Sequence, residues 1–195
     1  MVATRLGSVP PSATHAPLSH CSESGAAESC MPASRFALAL IRSVATVIAA
    51  AKVARNAGAV VMLNASPAGA KPHDLLALSG LADVVVVNEA EAREWHWPVP
   101  HLVITRGSRG ASYLGEDERF DVPSPAVEAV DTSGAGDVFA GVLAAGWSQG
   151  HEAALRRACA AGALSTLVPG AGDCAPYAEA IDDAVTNPKA GERRS

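Results

Sequence analysis

The amino-acid sequence predicts an α/β fold built on a mostly parallel sheet, and three observations carry that expectation. Short, almost wholly apolar runs, AVVMLN at 59–64, DVVVVN at 83–88 and HLVIT at 101–105, alternate with stretches of helical apolar spacing. This is the pattern of βαβ units whose strands are buried on both faces. Polar clusters stand at the carboxyl ends of these runs, where open parallel sheets bind their ligands. Finally, 195 residues that are 49% hydrophobic and 18% charged are enough for one domain with a real core.

Taken in order, residues 1–35 are rich in Ser, Pro and Ala and show neither a 2.0 nor a 3.6 period, so they read as a disordered segment. One α/β domain is expected over 36–187, with a tail at 188–195. Phe36 to Asn56 is Ala-rich, with Leu40, Val44, Val47, Ile48 and Ala51 at helical spacing and Gly58 as a C-cap, and it reads as one helix. Ala59 to Asn64 is then a strand, Pro72 to Leu78 a helix, Asp83 to Asn88 a strand, Glu89 to Trp95 a helix and His101 to Thr105 a third parallel strand. Ala111 to Leu114 and Arg119 to Val122, joined through Gly115-Glu116-Asp117, predict an antiparallel pair at a sheet edge. Ala135 to Gly146, His151 to Leu167 and Pro176 to Val185 read as helices.

Composition limits the function classes. Fifteen basic against twenty acidic residues give a net charge of −5, with no Lys or Arg block of the kind nucleic acid requires. The apolar runs are too short, or are interrupted by Arg42 and Lys52, so no membrane span is expected. The N-terminus has no secretory pattern, and Cys21, Cys30, Cys159 and Cys174 lack paired metal-ligand spacing. A reducing, cytoplasmic setting is the expectation.

The chemistry concentrates in Asp131-Thr132-Ser133-Gly134-Ala135-Gly136-Asp137. The glycines let the backbone turn tightly and present N–H groups at a helix start, where unpaired donors and the helix dipole favour an anion such as phosphate. Asp137 would repel that anion unless it is aimed at a substrate hydroxyl, taking its proton as the oxygen attacks a phosphoryl group held by those amides. The bland reading of an Asp there is complementing the helix dipole. Three further clusters, Asn64-Ala65-Ser66-Pro67, Asn88-Glu89-Ala90-Glu91 and Thr105-Arg106-Gly107-Ser108-Arg109-Gly110, fall at strand ends and could share one crevice with it.

These residues carry a resemblance. DTSGAGDVFAG resembles the C-terminal signature of the ribokinase-like carbohydrate kinase family, NEAE its Asn-x-x-Glu motif, TRGSRG its Thr-x-Gly-x-x-Gly nucleotide turn and LNASPA a ribokinase strand end. It runs from about Ala49 to about Val185. It implies a doubly wound α/β sheet, N-terminally truncated in this chain, and transfer of the ATP γ-phosphoryl group to a sugar hydroxyl, ribose being favoured. Carried over, Asp137 matches the catalytic base, and Gly134, Ala135 and Gly136 the anion hole. Asn88 and Glu91 match the motif ordering Mg²⁺ and phosphates, Asn64 a residue near the phosphates, and Thr105, Gly107 and Gly110 the turn beside adenine and ribose. A K⁺ site is implied at Asp131, Ser133, Ser165, Val168, Gly170 and Cys174, where a thiol stands in place of a hydroxyl.

The family's Gly-Gly sugar segment, sugar-gripping Asp and lid strands find no counterpart before Phe36, so weakened activity and an uncovered sheet edge are expected. Such an edge would invite a homo-oligomer or a complementing N-terminal half. A nucleotide-binding remnant without catalysis and an interaction module are the alternatives to a sugar kinase.

Overall fold

Alternating runs with two buried faces can be satisfied only by a layered arrangement, and the computed structural model of the chain has one. It describes residues 2–4, 36–40, 44–65 and 72–187. The strands are β1 (Val2–Thr4), β2 (Phe36–Leu40), β3 (Val60–Asn64), β4 (Val84–Asn88), β5 (His101–Thr105), β6 (Ala111–Leu114) and β7 (Arg119–Val122), and they lie in the sheet in chain order. β2 to β5 are parallel; β1, β6 and β7 run antiparallel to their neighbours.

Helices α1 (Val44–Asn56), α2 (Pro72–Ser79) and α3 (Glu89–Glu94) make the crossovers. α4 (Ala135–Gly146), α5 (His151–Ser165) and α6 (Ala178–Thr186) follow the hairpin. The strand period of two sorts the core. Val85, Val87 and Leu63 point to one face with Val47 of α1 and Leu78 of α2. Val84, Val86, Met62 and Val103 point to the other, under Phe139 and Leu143 of α4 and Leu155 and Ala158 of α5. Val84, Val85 and Val103 are completely buried, and each such side chain contributes about 1.5–3 kcal/mol relative to exposure. The mostly parallel α/β sheet with helices on both faces is therefore the fold the strand runs predict.

Small residues bring α5 close to α4. A Cβ on Gly162 would stand 3.5 Å from the Ala135 carbonyl oxygen and from Phe139 Cβ, so only a residue with no or minimal side chain keeps the first turn of α4 at this height above the sheet. That turn is where the glycine-rich loop ends.

Two expectations are corrected. Phe36 to Asn56 is not one helix: 36–40 form β2, paired in parallel from Phe36↔Val60 to Leu40↔Asn64, and the helix begins at Val44. A short apolar, Ala-rich run suits either state locally, and pairing with β3, which the local pattern cannot reveal, decides it. The disordered reading of 1–35 meets an exception at β1, which pairs with β2 from Val2↔Ala39 to Thr4↔Ala37. The rest of that expectation, and the 188–195 tail, lie outside the described residues. No described helix is long and apolar enough to cross a membrane.

Candidate active site

The three central parallel strands end side by side in polar residues. Asn64 closes β3 and is nearly buried; Asn88 and Thr105 close β4 and β5 and face each other in register. Thr105 Oγ1 donates to the Val87 carbonyl at 3.3 Å, tying the last two ends together.

Asn88 is also the N-cap of α3. Its Oδ1 accepts from Ala90 N and Glu91 N, both at 2.9 Å, while Glu91 Oε2 accepts from Asn88 N at 2.8 Å. Asn-x-x-Glu is thus a complete capping box, satisfying helix donors at both residues. Among the described residues, Asn88 Nδ2 and Glu91 Oε1 take part in no hydrogen bond, so this motif keeps one donor and one carboxylate oxygen for a ligand.

Beyond β5 the chain turns tightly over Gly107–Arg109. Arg106 N donates to the Gly110 carbonyl at 2.8 Å, and Gly110 N to the Gly107 carbonyl at 3.0 Å. Gly110 has φ +95°, and a Cβ there would fall 2.0 Å from the Val122 carbonyl oxygen, so the position excludes every side chain.

The Asp131–Asp137 loop is built by its first acid. Asp131 Oδ1 accepts from Ser133 N at 2.9 Å and Oδ2 from Gly170 N at 2.8 Å, so one carboxylate joins this loop to the one after α5. The Ser133 and then the Gly170 N–H hold its carboxyl below the ordinary value of 3.8. Gly134, at φ +79°, caps α4 and lies against Ala171. Ala135 N donates to the Thr132 carbonyl at 3.3 Å, whereas the N–H groups of Gly134 and Gly136 find no acceptor among the described residues. A helix mouth with unpaired donors attracts an anion. Asp137, in the first turn, is exposed and makes no side-chain hydrogen bond or ion pair among the described residues.

A cleft of about 430 Å³ opens between these parts. It gathers Thr105, Gly107, Gly110, Ala135 and Gly136 of the residues singled out in the sequence. Its floor is Phe139, Cys159, Gly162 and Ala163, and its rim is the segment after β7, including Ser124, Pro125 and Val127. Floor and rim were not foreseen: small and apolar residues on helices read as core. Burial pushes the Cys159 thiol up to about 12, so it lines the floor as a neutral group. Asn64, Asn88, Glu91, Gly134 and Asp137 do not line the cleft.

Of the six residues of the implied cation site, Asp131, Ser133, Gly170 and Cys174 are joined, the Cys174 thiol lying 4.0 Å from the Ser133 carbonyl. Ser165 is fully buried and its hydroxyl donates to the Gly162 carbonyl at 2.8 Å, while Val168 is exposed. Among the described residues no three His, Cys, Asp or Glu side chains are arranged to hold a metal. Glu91 Oε1, a carboxylate oxygen left free among the described residues, suits the waters of a Mg²⁺, which keeps waters and phosphate oxygens as most of its ligands, while Asn88 Nδ2 can only donate, as to a phosphate oxygen.

Fold and loops together define a mostly parallel α/β protein with a helix mouth of unpaired backbone donors beside an apolar cleft at its strand ends. The chain belongs to the pfkB family of carbohydrate kinases, whose family model matches residues 33–178. It is similar to the bifunctional ribokinase/ribose-5-phosphate isomerase A of Fructilactobacillus sanfranciscensis, 30% identical over 160 residues that cover 71% of this chain and 29% of that protein. Among solved structures it is similar to Arabidopsis thaliana ribokinase complexed with ribose and ATP, at 25% identity and a TM-score of 0.63 over 73% of this chain and 53% of that one. It is also similar to aminoimidazole riboside kinase from Salmonella enterica complexed with aminoimidazole riboside and an ATP analog, at 25% identity and a TM-score of 0.61 over 71% and 56%. The chain thus spans about half the length of these solved structures and less than a third of the curated relative.

Proposed function

We propose that this chain carries the nucleotide-binding and phosphoryl-transfer part of an ATP-dependent sugar kinase, acting on a sugar hydroxyl with ribose favoured. The observation that carries this reading is the helix mouth at Gly134–Asp137, where two unpaired N–H groups and an unpaired carboxylate stand beside an apolar cleft. In this reading the base of ATP occupies the cleft over Phe139, with Thr105, Gly107 and Gly110 against its nucleoside portion. Asn64 lies near the phosphates. The unpaired amides of Gly134 and Gly136 take the charge of the transferring phosphoryl group, preorganised donors that act without reorganising during reaction, and the Ala135 amide joins them on giving up its 3.3 Å bond to the Thr132 carbonyl. Asp137 accepts the proton of the sugar hydroxyl; as its oxygen bonds to the γ-phosphorus, the bond from that phosphorus to the ADP oxygen breaks.

Glu91 Oε1 would accept from the waters of a Mg²⁺ and Asn88 Nδ2 would donate to a phosphate oxygen beside it, and the ion, when bound, neutralises charge on the phosphates. Asp131, Ser133, Ser165, Val168, Gly170 and Cys174 would border a K⁺ beside the anion hole, with carbonyls rather than the Cys174 thiol supplying its ligands. A cytoplasmic setting, with ATP at hand and the Cys159 and Cys174 thiols free, completes the reading.

We further propose that these 195 residues alone are a slow kinase. An oriented acceptor can be worth about 7–11 kcal/mol of the barrier, and the family's sugar-gripping residues find no match before Phe36. The test is the purified chain with ATP, Mg²⁺ and K⁺, ribose titrated, and sugar phosphate and free phosphate both measured. Slow ATP hydrolysis largely indifferent to ribose is expected. Saturable ribose phosphorylation at about 1–100 s⁻¹ refutes the impairment. ATP binding with no turnover favours a nucleotide-binding remnant.

A further inference from the structure

The two nucleotide-site motifs are bridged by residues at positions that their patterns leave unspecified. Glu89 follows the Asn of Asn-x-x-Glu and Arg109 precedes the last Gly of Thr-x-Gly-x-x-Gly. Arg109 Nη2 donates to Glu89 Oε1 at 2.6 Å and to Oε2 at 2.5 Å, a contact across 20 residues of chain. The 107–109 turn needs such an anchor, because its own backbone bonds are all local. Two arginines hold it from opposite flanks: Arg106 Nη1 lies 3.5 Å from Asp121 Oδ1 of β7, and Arg109 reaches α3. On the α3 side the anchor residue directly follows Asn88, the cap that also engages Glu91.

We propose that the Glu89–Arg109 pair is a positioning device that fixes the spacing between the 105–110 nucleotide turn and the Asn88–Glu91 phosphate motif, and so tunes affinity for ligands that span both. The inference rests on the nucleotide reading of the site. A ligand that touches only the turn gains nothing from a fixed spacing; one that reaches from the turn to the phosphate motif does. Arg109 and Glu89 side chains are 67% and 42% exposed, so solvent screens the pair and the effect is modest, about two- to five-fold in ATP affinity.

The test uses the full chain as Glu89→Gln, as Arg109→Gln, and as the swap combining Glu89→Arg with Arg109→Glu. Binding of Mg·ATP and of adenosine is titrated for each, and amide exchange of 107–110 is followed without ligand. Expected are weaker ATP binding and faster exchange in both single variants, unchanged adenosine binding, and recovery in the swap. Single variants that match the unaltered chain in ATP affinity and exchange overturn the proposal. So does weaker binding in Arg109→Gln alone with tighter binding in Glu89→Gln, which would mean that Arg109 contacts phosphate and Glu89 competes for it. If the unaltered chain binds neither ligand, the nucleotide reading fails and the affinity role with it. Exchange that accelerates in the single variants and recovers in the swap would then mark a pair that anchors the turn without serving nucleotide.

Discussion

Gly136→Ala separates the two demands on the helix mouth. A Cβ at Gly136 meets no atom within 4 Å, and its backbone is not left-handed, so Ala fits without strain. Replacing a helical Gly with Ala removes unfolded-chain entropy and should stabilise by about 0.4–1 kcal/mol. At about 2–4 °C per kcal/mol for a chain of this size, the melting temperature should rise by about 1–4 °C. Yet Gly136 lines the cleft, and a methyl group intruding on a fitted ligand costs about 1–3 kcal/mol, or about 5–150-fold in affinity. Gly134→Ala is the contrast. Its φ of +79° costs a non-glycine residue about 1–2 kcal/mol, and its Cβ would press to 3.0 Å from Ala171 Cβ, so stability should fall. Thermal melts with and without Mg·ATP read both effects. A Gly136→Ala chain that melts lower, or binds ATP as tightly as the unaltered protein, refutes the assignment of that open space to ligand.

Other outcomes follow from the same geometry. Saturating Mg·ATP, at about 100 times its dissociation constant, should raise the melting temperature by about 5–11 °C, checked by calorimetry. At the opposite end of the sheet, His101 Nδ1 lies 2.6 Å from the Tyr113 hydroxyl, which is 3.0 Å from His151 Nδ1 beside Glu118. Burial, then His151, holds His101 below 6.5 against the opposing pull of Asp83 and Glu118. A depressed folded value means that the unfolded chain takes up the proton first. Stability from His101 is therefore complete above 6.5 and lost as pH falls through its lower folded value, so His101→Gln should narrow the gap between urea midpoints at about pH 7.5 and about pH 5.5. Asp131→Asn replaces an acceptor of two backbone N–H groups with a side chain that carries its own donors. Amide exchange at Ser133 and Gly170 should accelerate, and the stability that the carboxylate gives above its ordinary range, lost as pH falls through its lowered value, should disappear.

Much of the fold is legible because β3 and β4 are buried on both faces and therefore read as unbroken apolar runs, with β5 half-buried around a fully buried Val103. β2 is not, since FALAL is Ala-rich and its strand state comes from pairing with β3. Within the site, glycines announce themselves: Gly110 and Gly134 are dictated by positive φ and close approach, and both fall within motifs. The cleft floor is silent in sequence, because Phe139, Cys159, Gly162 and Ala163 carry no polar signal and gain a role only from how α4 and α5 pack. Asn-x-x-Glu raises another difficulty. The same spacing makes a capping box, so the motif serves its helix whether or not it also serves a ligand. The Glu89–Arg109 contact lies beyond any local pattern.

The central claim is that Asp137 is the base at an anion-holding helix mouth, and the most direct measurement compares ATP turnover by the unaltered chain with that of Asp137→Asn. Asp137 is exposed and bears no structural bond among the described residues, so the variant should fold and bind Mg·ATP as before. Its turnover, in the presence of ribose, should fall by about 10²–10⁴, the usual cost of losing a general base. Equal turnover by the two chains, with nucleotide binding intact in both, would contradict the account.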